Sequence, residues 1–196
     1  MARHSPHPRL ASLREATSSQ HRLLDRAIDG SGAFVRAEAY LRYLVALTRF
    51  HGAVDRALAL GGIDTLWPRW QQWRPLPALQ HDLQALGRAA TDVEAEGLPA
   101  LPDEAAVLGT LYVVVGASMG ARLLYPRARA LGFDAARGAA YLASQAEDQA
   151  AWPEFVTLLS TRTLPRAREP ALPEAAITAF ALAQRCVADE FEDRCR

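Results

Sequence analysis

Residues 13–25 read LREATSSQHRLLD, and at helical spacing this stretch sets one imidazole between an arginine and a carboxylate. Arg14 precedes His21 by two turns and returns to the same face, roughly 10 Å away along the axis. Asp25 follows His21 by one turn and is placed to accept a hydrogen bond from one ring nitrogen. A metal-bound imidazole uses such an acceptor to fix its tautomer and raise its basicity. An arginine on that face can pair with the carboxylates of a large planar ligand. The same triple also fits a surface histidine on an amphipathic helix, so the other segments must decide between the two.

Nearly all of those segments are helical. Ser12 and Glu15 have the spacing of a capping box at the start of the first helix. A second helix is predicted over about residues 36–60, with Tyr40, Leu44, Leu47, His51, Val54 and Leu58 on one stripe and Gly61-Gly62 at its end. Residues 62–77, which hold Trp67, Trp70 and Trp73, read as a loop. A shorter helix turns Leu79, Leu83 and Leu86 inward and stops at Gly87. A proline-bounded linker, 96–102, leads to Asp103, which caps a long apolar helix running to about Leu131. Further helices are expected over 134–149, 153–159 and 174–193, with Pro165, Pro170 and Pro173 marking the last loop. No segment reads as a strand or a repeat. The expected class is all-α: a single-domain multi-helix bundle of roughly seven to eight helices over residues 10–196, behind a flexible N-terminal tail, 1–9.

The chain has 196 residues, half of them hydrophobic, which suits one sizeable core. Its formal charge is zero, so no net field recruits nucleic acid or an anionic membrane. Every basic residue is arginine, which excludes Schiff-base and P-loop lysine chemistry. The opening residues, MARHSPHPR, lack the apolar run of a signal peptide, and no stretch reads as a membrane span, so a cytoplasmic protein is expected. Cys186 and Cys195, on one helix, would stand about 13 Å apart along its axis, too far for a disulfide.

Residues 108–124 read LGTLYVVVGASMGARLL. Gly116 and Gly120 fall on one face, and each costs about 0.5–1 kcal/mol in a helix interior relative to alanine. They let another helix pack closely, or they let a flat ligand approach bare backbone. With His21 on a separate helix, the second option becomes a planar haem gripped between an imidazole and glycine backbone.

Together these stretches resemble the haem oxygenases, closest to the soluble bacterial enzymes that make biliverdin, including those associated with bacteriophytochromes. Residues 13–25 resemble the family's proximal helix and residues 108–124 its distal helix. Tyr40 and Leu44, the Asp82-Leu83…Leu86-Gly87 pattern, Trp152, Phe155 and Leu159, and the final helix around residues 178–191 agree as well. The resemblance implies a haem oxygenase-like helical fold with haem as substrate and cofactor. It implies oxidative opening to biliverdin, carbon monoxide and ferrous iron, with electrons from a ferredoxin or a reductase. His21 would be the iron ligand and Asp25 would hold its other nitrogen. Arg14 would pair with a propionate, and Thr17 would lie against the proximal face. Gly116 and Gly120 would form the distal wall, with Ser118 holding a water. Tyr112 would stand near the propionate edge, Phe180 would pack against the macrocycle, and Arg162 is the candidate for a second propionate. A bacteriophytochrome is a candidate acceptor of the product.

Ala117 and Ala121 stand where many relatives have aspartate and glycine, and Val115 where phytochrome-associated relatives often have glutamate. These departures motivate a second reading, a haem-binding or haem-sensing protein without turnover. Met119 could close the sixth iron position, although methionine more often fills a core. His51 reads as a core histidine, His81 as a surface one, and His4 and His7 as parts of the tail. No histidine has glutamate three residues before it, which excludes a ferritin-like di-iron site. Both cysteines lie on the terminal helix with no histidine nearby, which disfavours a thiaminase-like hydrolase.

Overall fold

The computed structural model describes residues 7–89 and 97–192, and these are helical throughout their regular parts. In chain order the elements are α1 (Pro8–Gly30), α2 (Ala37–Leu60), the single turns α3 (Ile63–Leu66) and α4 (Trp70–Trp73), α5 (Leu76–Ala85), α6 (Glu104–Ala130), α7 (Ala140–Glu147), α8 (Ala151–Thr161) and α9 (Ala171–Glu192). The described residues hold no named strand, as expected of an all-α bundle.

α1 begins at Pro8, a turn before the predicted capping box, which does not form. Proline suits a first helical position because its missing N–H would have no partner there. Arg9 then anchors the turn: its guanidinium meets the Glu169 carboxylate at 2.6 and 3.0 Å and donates to the carbonyl of Leu159. Residues 8 and 9, assigned to the tail, are therefore helical; residues 1–6 lie outside the described ones, as do the start of the 96–102 linker and Cys195.

Two other boundaries differ from those expected, one of them set by a tertiary cap. The helix expected from Asp134 starts only at Ala140, because the Asp134 carboxylate accepts from Ala136 and Arg137 N–H and closes a turn through Gly138 at φ 80°. The fully buried Asp82, from α5, then accepts from the N–H groups of Ala140 and Tyr141 at 2.7 and 2.9 Å and caps α7. α9 opens at Ala171, taking Pro173 into its first turns. The tryptophan segment is no open loop: two single turns press Trp67, Trp70 and Trp73 into the core. Arg69 ties it to Asp148 and Glu154.

α6 starts as its sequence indicates, with the Asp103 carboxylate accepting from Ala106 N–H at 2.9 Å. Contrary to the sequence reading, it is long and apolar enough to cross a membrane, yet most of its apolar stretch is buried inside the bundle. What it packs on is α9, which is also the main support of α1. α1 and α6 make few contacts with each other among the described residues, the Arg127–Asp29 ion pair at 3.0 Å being one, so their relation rests largely on α9. At the α6–α9 crossing, a Cβ on Gly109 would collide with the carbonyl of Leu172, and only glycine fits.

Candidate functional site

Leu10, Leu13 and Thr17 form the buried stripe of α1, and the Thr17 hydroxyl donates to the Leu13 carbonyl at 2.7 Å. His21 stands at the edge of this stripe with its side chain 61% exposed. Its Nδ1 lies 2.8 Å from Oδ2 of Asp25, one turn on. The ring is edge-on to Phe180 of α9, with centroids 5.8 Å apart and planes at 61°. One nitrogen is thus held by a carboxylate and the ring leans on an aromatic wall, which leaves Nε2 as the donor atom. Sequence spacing indicated Asp25. It did not reveal Gln184, one turn beyond Phe180, whose carboxamide donates to the carbonyl of Gln20 at 2.8 Å.

The glycine face of α6 is open. Tyr112, Gly116 and Gly120 follow one another a turn apart, with Met119 and Leu123 beside them at 51% and 76% exposure. A Cβ on Gly116 would meet only the Trp152 ring, at 3.7 Å, and one on Gly120 would meet nothing within 4 Å. Among the described residues nothing packs against Gly120 and only the Trp152 ring of the helix at Ala151–Thr161 reaches Gly116, an arrangement that suits access to bare backbone. Trp152 is a second lining residue whose place the sequence did not give; it packs against Tyr112 and Phe155. Phe180 is buried beside His21, and Arg14 is exposed on α1 with no ion pair to any described residue.

Two expected site residues lie elsewhere. Ser118 is buried and donates its hydroxyl to the Val115 carbonyl at 2.7 Å, because its position on α6 points into the bundle rather than along the glycine face. Arg162 pairs with Glu104 at 2.6 Å, and its carbonyl accepts from Arg9. That places it by the start of α1, twelve residues and roughly 18 Å of helix before His21.

The donor set itself says which metal species fits. No group of three or more His, Cys, Asp or Glu side chains comes together among the described residues, so a bare ion would find too few ligands. An iron already held by a macrocycle needs only one protein nitrogen, which His21 offers.

No model of a known protein family matches the chain. Curated proteins do. Haem oxygenase of Xanthomonas campestris pv. campestris is 29% identical over 156 residues, covering 80% of this chain and 93% of that protein. Haem oxygenase PigA of Pseudomonas aeruginosa is 26% identical over 165 residues, covering 84% and 83%. The crystal structure of NO- and CO-bound haem oxygenase from Neisseria meningitidis superposes with a TM-score of 0.80 at 25% identity, over 93% of this chain and 91% of that one. In sequence and in fold this chain is similar to haem oxygenases. Within that haem oxygenase fold, the proximal and distal helices named from sequence are α1 and α6.

Proposed function

We propose that the protein is a haem oxygenase that opens haem to biliverdin, carbon monoxide and ferrous iron. The observation that carries this reading is the exposed His21, held at Nδ1 by Asp25 and flanked by Phe180, on a scaffold whose helix α6 leaves the space at Gly120 open. Haem supplies the redox-active iron and the ring to be cleaved, and dioxygen and external electrons complete the reaction.

The chain's own residues bind and orient. Asp25 accepts the Nδ1 proton of His21, which keeps the Nε2 lone pair available and raises its donor strength. Phe180 limits rotation of the imidazole from one side. Arg14 supplies an unpaired guanidinium for a propionate. Thr17, its hydroxyl already committed to Leu13, presents an apolar surface beside the ligand. Gly116 and Gly120 admit a flat ring to the backbone of α6, and Tyr112 with Trp152 forms an aromatic border to that face. Neither Ser118 nor Arg162 enters this assignment.

A ferredoxin or a reductase as electron source, a bacteriophytochrome as biliverdin acceptor and a cytoplasmic location complete the reading; the burial of α6 in the bundle supports the last. The test is a hemin titration of wild type and His21→Ala, followed by ascorbate or a ferredoxin system in air. A Soret band that needs His21 and then gives way to biliverdin absorption is the expected result. Hemin uptake indifferent to His21 would overturn the assignment, and a band that persists under reductant and oxygen would reduce the protein to a haem binder.

A further inference from the structure

Gln184 and Phe180 are one turn apart on α9 and leave it on the same face. Phe180 touches the His21 ring, and Gln184 reaches the backbone one residue earlier, donating to the Gln20 carbonyl at 2.8 Å from a half-buried position. That carbonyl already serves the internal ladder of α1. A carbonyl oxygen has two lone pairs, so the second donor is added without breaking the helix.

Around this bond the two helices share apolar residues of one buried cluster: Leu13 and Leu24 on α1, Ala183 and Val187 on α9. Apolar contact is non-directional and tolerates small slides and rotations. A hydrogen bond to one chosen carbonyl does not, because it weakens steeply with distance and angle. Apart from the exposed Arg127–Asp29 ion pair near the end of α1, α1 and α6 make few contacts among the described residues, and both pack extensively on α9, so the register of α1 on α9 bears on where His21 stands relative to the Gly116–Gly120 face. Asp25 orients the ring from within α1 and Phe180 meets it from α9; Arg9 holds the start of α1 at Glu169, and Gln184 holds the turn that carries His21.

We propose that Gln184 is a positioning residue: its carboxamide pins the turn of α1 that carries His21 to α9 and so sets where the imidazole stands relative to the glycine face of α6. The pin itself is a property of the polypeptide, whereas its purpose rests on the reading of His21 as the haem ligand.

Three variants separate the donor from the shape. Gln184→Leu removes the group, Gln184→Glu keeps its outline but offers no N–H at neutral pH, and Gln184→Lys restores a donor. The first readout is amide hydrogen exchange across residues 17–25 in protein free of hemin. The second is the ferrous iron–histidine stretching band of the hemin-loaded protein in resonance Raman. Loss of the donor should speed exchange in that segment about fivefold, the equivalent of one ordinary hydrogen bond. Exchange in α2 should stay unchanged. The Raman band should shift in Gln184→Glu and Gln184→Leu and return towards wild type in Gln184→Lys. Should Gln184→Leu fail to fold, the Glu and Lys pair carries the same comparison. Wild-type exchange and an unmoved band in Gln184→Glu would overturn the proposal, as would equal disturbance in Gln184→Lys. If wild type takes up no hemin, the haem reading falls by itself, and the exchange data still decide whether the pin exists.

Discussion

α6 is two helices in one. Every residue from Ala105 to Val115 is buried, whereas beyond Val115 only Ser118, Ala121 and Ala128 are. Glycine means opposite things in the two halves: at Gly109 a side chain has no room against Leu172, and at Gly120 it would meet nothing. The histidines divide the same way. His51 is 2% exposed on α2, and burial pushes its pKa down to about 3 from 6.5, while His21 stands in the open beside a carboxylate. One part of the molecule is packed full, and the other is left open.

The largest expected effect tests the filled part through pH. Below pH 6.5 the unfolded chain protonates His51, but the folded protein refuses that proton until about pH 3. Stability should therefore fall as pH drops through this window, by about 1.4 kcal/mol per pH unit from this residue. His51→Leu should flatten the slope in urea titrations between pH 6 and 4; an unchanged slope would place the imidazole within reach of water. Next comes Gly109→Ala, where a methyl must displace backbone: a loss of about 3 kcal/mol is expected, read as a lower urea midpoint at constant m. Gly120→Ala should do the reverse, gaining about 0.5–1 kcal/mol from helix propensity while weakening hemin uptake. A variant that gained stability and bound hemin as before would erase the difference between the halves. Met119→Leu, on the exposed side, should change stability by less than about 0.5 kcal/mol and leave the hemin spectrum unaltered. A changed spectrum would put the thioether at the iron.

Sequence made the helices legible wherever their periodicity was long, as in α2 and α6, and wherever a local cap closed them, as at Asp103 and Gly132. It misplaced the starts of α1, α7 and α9: Arg9–Glu169 and Asp82 act across the fold without a local mark, while a local turn at Asp134 and Gly138 delays α7. The site divides along the same line. His21 and Asp25 are one turn apart on one helix, so spacing alone puts them together. Trp152 and Gln184 come to the site from other helices, and Arg162 is drawn away from it by Glu104, all through pairings that span dozens of residues. The meaning of Gly116 and Gly120 could not be read locally either, because it depends on what is absent from the space beside them.

The support that α9 gives to both α1 and α6 also orders events at the ribosome. α9 is synthesised after the two helices that rest on it, and domains form as their parts emerge. α1 and α6 can each become helical early, and α6 can pack on α7 and α8 as they emerge, yet α1 has little to dock on until α9 is out. The setting of His21 against Phe180 is therefore among the last parts of the protein to come into being, and a chain halted before α9 would carry His21 without that ring behind it.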